Sequence, residues 1–293
     1  MPKARKILKR VKAFRNIRTV TRTMEIVASV RFRKAHESAV ATRPYTDHLA
    51  DLVGDLLAHC GEMELRHPLL EEPSNAQCDV LMVLSSNMGL CGPYNALILS
   101  TAVERLEQLQ AAGLRALLRV VGKRGAHYFQ YRRIPVDKAY VDFKHAPTYE
   151  QVSAMASALM EDFLAGRIGG LEVAYTQYLR SGQSSPVIAQ ILPLSQTPPP
   201  PDRLGGRGVE YEFLPSPREL LDRLLPAVVR MRLYQCFLDA SVTEQVSRIR
   251  AMRSATENAD EMIHDLTVRY NRARQAQITT ELAEIMGGSA GVK

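Results

Sequence analysis

The stretch KARKILKRVKAFRNIRTVTRTMEIVASVRFRKAHESAVATR, residues 3–43, contains neither proline nor glycine. Its apolar side chains fall at Ile7, Val11, Phe14, Ile17, Val20, Met24, Val27 and Val30, in steps of three and four. That spacing is one face of an α-helix, and its narrowness marks a seam for one partner rather than a broad core-facing stripe. The pattern resumes past Pro44 through Leu49, Leu52, Val53, Leu56 and Leu57 to a stop near Gly61. About 55 residues rising 1.5 Å each make roughly 80 Å of helix, against an average helix of about 11 or 12 residues. A helix of that length has to pair with another element.

The far end of the chain supplies one. Ser216 suits an N-cap and Pro217 the first helical turn. Apolar positions then recur at helical spacing from Leu220 to Ile285, with Pro226 the one interruption and no glycine before Gly287. This second helix spans about 70 residues, or roughly 105 Å. Two long helices with single seams, one at each end of the chain, predict an antiparallel coiled coil. The C-terminal partner carries Glu244, Glu257, Asp260, Glu261, Asp265, Glu281 and Glu284, which suits a basic N-terminal one.

Between them the period changes. CDVLMVLSS (78–86), ALLRVVG (116–122), LEVAYTQYL (171–179) and PVIAQILPL (186–194) are short β-type runs, and the segments beginning at Tyr94 and Thr148 have helical spacing. Strands alternating with helices predict a small α/β, Rossmann-like domain with a mostly parallel sheet. The fold class is therefore α/β plus coiled coil. The predicted parts are an N-terminal coiled-coil helix over 1–60, a central α/β domain over 76–195, a Pro/Gly-rich linker over 196–215, and a C-terminal coiled-coil helix over 216–287.

Charge is concentrated at one end. Residues 1–34 hold twelve Lys or Arg against the single acid Glu25, so the rest of the chain is net negative although the whole carries +7. The basic excess is a property of one helix, not of the protein surface at large. No run approaches the roughly 20 apolar residues of a membrane span, so any membrane association is expected to be indirect. Cys60, Cys78, Cys91 and Cys236 have no metal-ligand spacing and predict a reduced, intracellular protein without a zinc site. No cofactor motif is present.

Three stretches invite chemistry. SSNMGLCGPYN, residues 85–95, places Gly89, Cys91 and Gly92 after a strand. A P-loop needs GxxxxGK[ST] and a dinucleotide site GxGxxG, and neither is there. The stretch reads as a strand-to-helix turn. The basic arm has an apolar seam running through it, which argues against a DNA-reading basic helix and for a partner-facing flank. The segment RYNRARQAQITTELAEI carries Arg269, Arg272, Arg274, Gln275, Thr279 and Glu281 on an exposed face. A free-standing α/β enzyme and a basic coiled-coil nucleic-acid-binding protein stand as the alternative functions, each lacking a complete site.

The residues also carry a resemblance. RIRAMRSATENADEMIHDLTVRYNRARQAQITTELAEIMGGSA (248–290) closely resembles the end of the γ subunits of F-type ATP synthases. IVASVRFRKA (26–35), GLCGPYN (89–95) and LPSPRELLDRLLP (214–226) resemble further motifs of that family. The resemblance implies a central-stalk rotor: non-catalytic itself, turning inside a ring of α and β subunits, with its α/β domain near ε and the membrane c-ring. It implies no cofactor, no nucleic acid, and a peripheral place on the cytoplasmic face of a bacterial inner membrane. It also implies β-subunit contacts for Met24, Arg274, Gln275, Thr279 and Glu281. The chain departs from the family pattern at Asn87 and Met88, where the family has Asp and Arg, and at Ile17 and Thr19.

Overall fold

The computed structural model describes residues 2–59, 67–73, 76, 78–143, 147–179, 184–194 and 216–290. The predicted linker, 196–215, lies outside the described residues, as do Cys60 and Gly61. The elements run α1 (Pro2–His59), β1 (Asp79–Leu84), α2 (Tyr94–Ala111), β2 (Ala116–Val121), α3 (Lys123–Tyr131), β3 (Lys138–Tyr140), α4 (Tyr149–Leu164), β4 (Leu171–Tyr178), β5 (Ser184–Leu192) and α5 (Pro217–Ala290). The chain divides into two units: a helical unit of Met1–Val30 with Arg248–Lys293, and an α/β unit of Arg31–Ser247. Both α1 and α5 contribute to each.

In the α/β unit the sheet order is β3-β2-β1-β4-β5, parallel throughout except for β5, which runs antiparallel to β4. β1 sits in the middle with helices on both faces, which is why VLMVL, residues 80–84, is an unbroken apolar run rather than an alternating one. Val80, Met82 and Leu84 face α4, with Leu49 and Val53 of α1 and Leu221, Leu225 and Val229 of α5. Leu81 and Val83 face Ile98, Ala102 and Leu106 of α2 and Phe129 of α3. The predicted strand and helix runs appear as β1, β2, β4, β5, α2 and α4. α3 and β3 were not predicted: α3 is nine residues long and buries only Gly125 and Phe129, and β3 is three residues long with Lys138 and Ala139 exposed, so neither is long enough to establish an apolar period.

Pro44 and Pro226 are both accommodated within their helices. Ser216 does act as a cap, its Oγ accepting the backbone N–H of Glu219 at 3.3 Å. α5 also holds a buried polar group in this unit. Asp239, 3% exposed, accepts from Gln235 Nε2 at 3.0 Å and lies 3.7 Å from the guanidinium of Arg43 on α1. Burial raises the Asp239 pKa, and Arg43 opposes that rise.

The helical unit is an antiparallel pair. Arg18 Nη1 donates to Asp260 Oδ1 at 3.0 Å, the Thr21 and Thr256 hydroxyls share a hydrogen bond at 2.7 Å, and Arg253 Nε donates to Glu25 Oε1 at 3.2 Å. As the α1 number rises the α5 number falls. Val11, Thr21, Glu25 and Ala28 are buried on α1, and Met252, Ala259 and Leu266 on α5. These positions keep the seven-residue repeat of a coiled-coil seam.

This seam differs from the apolar row read in the sequence. Ile17, Val20, Val27 and Val30 are 47%, 57%, 44% and 66% exposed. Ile7, Val11, Phe14 and Met24 of that row are buried or half-buried, so the seam keeps part of it and passes onward through Thr21, Glu25 and Ala28, small or polar residues that let the backbones approach.

Candidate partner interface

The register of the helical unit decides what is covered. Continuing the pairs Arg18–Asp260, Thr21–Thr256 and Glu25–Arg253 places Val11 level with Leu266, Ile7 with Tyr270 and Ala4 with Ala273. All six are buried or half-buried. By the same count Pro2 and Lys3, the first described residues of α1, fall level with Gln275 and Arg274. The remaining turns carry Ile278, Leu282 and Met286, which are 44%, 56% and 71% exposed. At i, i+4 and i+8 they form one apolar stripe.

The sequence-predicted contact residues flank it. Arg274, Ile278 and Glu281 form one row along α5, and Gln275, Thr279 and Leu282 the next, all exposed. Gln277 Nε2 donates to Glu281 Oε1 at 2.8 Å, and the Thr279 hydroxyl turns back onto the Gln275 carbonyl at 3.0 Å. These bonds fix rotamers without hiding the groups. Met24 is half-buried beside Glu25, level with the neighbourhood of Arg253. It therefore stands about 30 Å along α5 from Arg274, counting 1.5 Å per residue. The structure brings Arg274, Gln275, Thr279 and Glu281 together and sets Met24 apart from them.

Electrostatics add a second feature. Arg5, Lys6, Lys9, Arg10, Lys12 and Arg15 are exposed, and no described residue forms an ion pair with any of them. Glu25 sits instead in the seam, its side chain 9% exposed, between Arg22 at 3.1 Å and Arg253 at 3.2 Å. Sequence reasoning missed this clamp. The available signal was the single acid of the basic arm falling in the heptad row.

The turn at Gly89, Cys91 and Gly92 is in the α/β unit and is closed. Cys91 is 2% exposed, and its Sγ accepts from Asn95 Nδ2 at 3.1 Å. Asn95 also donates to Ser86 Oγ at 2.8 Å, and its Oδ1 receives the Ser86 N–H at 3.0 Å. Gly92 has φ +56°, the left-handed conformation that glycine adopts most cheaply. Gly89 needs no such φ; a Cβ there would lie 2.8 Å from the end of the Arg124 side chain. Asn87 bridges onward, donating to the Phe143 carbonyl and accepting from Lys123 N–H at 3.0 Å. The corner joins β1 to α2 and offers no open nucleophile.

Comparison with known proteins places this geometry. A family profile described as ATP synthase matches residues 3–292. The ATP synthase gamma chain of Rhodopirellula baltica is 39% identical over 292 residues, covering 98% of each chain. That of Gemmatimonas aurantiaca is 35% identical over 297 residues, covering all of both. A chain in the mitochondrial ATP synthase of Euglena gracilis has the same fold at 15% identity, with a TM-score of 0.65 over 98% of this chain and 94% of that one. A central-stalk chain of the Tetrahymena thermophila enzyme gives a TM-score of 0.59 at 18% identity, over 80% of this chain and 99% of that one. The antiparallel helices, the five-stranded sheet and the motifs at both ends thus have one source: this chain belongs to the ATP synthase gamma family.

Proposed function

We propose that the chain is the central-stalk rotor of an F-type rotary ATP synthase, coupling ion translocation to ATP synthesis or hydrolysis at a surrounding ring of α and β subunits. The observation that carries this reading is the uncovered end of α5. An apolar stripe of Ile278, Leu282 and Met286 is exposed on α5. Contiguous exposed apolar surface of this kind marks an interaction site. A ring of subunits closing around that end would cover the stripe, while Arg274, Gln275, Thr279 and Glu281 meet polar groups of the β subunits. The planar guanidinium of Arg274 suits a carboxylate there. The exposed cations from Arg5 to Arg15 supply a face for acidic segments of the ring, and Met24 a separate contact further along.

The chain itself performs no chemistry in this reading; catalysis belongs to the ring, and the α/β unit meets ε and the c-ring. Among the described residues no helix is long and apolar enough to cross a membrane. The chain is a peripheral part of a membrane-bound complex, and the face it occupies is proposed as the cytoplasmic side of a bacterial inner membrane. Reconstitution with α and β subunits tests the function. Supported ATPase turnover that responds to changes on α5 is the expected result, and a ring whose activity is indifferent to the chain would refute it.

A further inference from the structure

We propose that the α/β unit holds a binding site for a small organic anion with a flat aromatic body, in the cavity beyond the carboxyl ends of β1 and β2. This site does not rest on the rotor reading. The cavity has a volume of about 350 Å³ and is bounded by Leu84 and Val121 at those strand ends. β1 and β2 are neighbouring parallel strands, so their carboxyl ends open together on one edge of the sheet. The volume is within the range of small-molecule sites, about 300–1,000 Å³.

The lining has the two parts such a ligand needs. Tyr149 and Tyr234 stand edge to face, with ring centroids 5.5 Å apart, and Phe237 and Leu238 extend the apolar wall. Arg31 and Lys34, one helical turn apart on α1, line the same cavity. No described residue forms an ion pair with either. The nearby fixed polar groups are engaged: Ser85 Oγ donates to the Val121 carbonyl at 2.7 Å and receives Gly125 N–H at 2.9 Å, and both ends of the Asn87 amide are used. One carboxylate, Glu244, is also in the lining and accepts from Gln245 at 3.3 Å. Charge recognition thus falls to Arg31 and Lys34, and the aromatic wall selects against a bare inorganic anion. An aryl phosphate or carboxylate fits that combination, whether it comes as a nucleotide or as a simpler aromatic acid.

Calorimetry and ligand-observed NMR on the full chain, with phenyl phosphate, AMP and inorganic phosphate as probes, test the site. Saturable binding of phenyl phosphate or AMP is expected, with inorganic phosphate at least about tenfold weaker, a tenfold step being about 1.4 kcal/mol. Tighter AMP assigns the nucleotide source, and equal or tighter phenyl phosphate the simpler acid. Arg31→Ala with Lys34→Ala should weaken binding by about tenfold or more, two charge-assisted contacts being lost. Ser241→Phe, which keeps both charges but fills the cavity, should abolish it. Circular dichroism establishes that each variant is folded. The proposal is overturned if neither aryl probe saturates, or if affinity survives in both the charge and the cavity-filling variants.

Discussion

Replacing Ile278, Leu282 and Met286 together with serine separates what these side chains do in the chain from what they do in an assembly. At 44%, 56% and 71% exposure they lend little to the isolated fold. Exposed substitutions of this kind usually change stability by less than about 0.5 kcal/mol each. In a closed ring the same surface would be removed from water. Full burial of such a side chain is worth about 2 kcal/mol, and roughly half of each is still available, so the three together contribute about 3 kcal/mol. That corresponds to about a 150-fold change in dissociation constant. The measurement is the affinity of the triple variant for an α/β ring, by titration against the parent chain, with thermal unfolding of the free chain as the control. A near-unchanged melting curve and a large loss of affinity are expected. A variant that binds the ring as tightly as its parent would refute the assignment of this stripe to the interface.

The polar flank gives a second expectation: Arg274→Ala with Gln275→Ala should lower ATPase turnover of the reconstituted complex severalfold while leaving the free chain's unfolding unchanged. Both residues are exposed, so a loss of folding would place them elsewhere. Cys91→Ala should leave turnover intact and cost about 1 kcal/mol of stability, since the thiol is buried and accepts from Asn95 at 3.1 Å; abolished turnover in an assembled complex would reopen the question of a reactive thiol. Asp239 offers a pH test. Burial raises its folded pKa above the unfolded value, so its stabilising contribution is full at acid pH, below the unfolded pKa, and is lost as pH rises through the folded pKa. The difference in melting temperature between the parent and Asp239→Asn should therefore favour the parent most at low pH and shift toward the variant as pH rises. A difference flat across pH would show that Asp239 does not titrate in that window.

The elements with a period of their own were legible in the residues. The helix over 3–43 and its partner after Ser216 carry apolar side chains every three or four positions, and β1 is apolar from Val80 to Leu84 because helices cover both its faces. α3 and β3 had no such signal, being short and largely exposed. The proposed contact residues on α5 were legible only through a family pattern, since an exposed Arg274 or Glu281 looks like any solvated helix position. What the residues could not reveal was the face of contact. Ile17, Val20, Val27 and Val30 are the more hydrophobic row, yet the seam runs through Thr21, Glu25 and Ala28.

That choice of seam has a physical logic. A pair of helices joined through alanines and threonines alone would tolerate a slip of one heptad at small loss, because small side chains fit one another in many registers. Three polar rungs remove the degeneracy. Thr21 with Thr256, Arg18 with Asp260, and Glu25 between Arg22 and Arg253 each require one specific partner level. The ion pairs lie near solvent, with arginine side chains 48% to 65% exposed, and are worth about 0.2–1 kcal/mol apiece. Their larger contribution is against the slipped states: a shift of seven residues would leave the Glu25 carboxylate in the seam with Arg22 alone and without its α5 guanidinium, and a buried charge that loses a partner is more costly than a lost surface pair. Register fixed in this way also sets which residues of α5 lie level with the described residues of α1, ahead of the exposed Ile278, Leu282 and Met286. The polar seam and the exposed apolar stripe are two consequences of one pairing: the first holds the level at which the second begins.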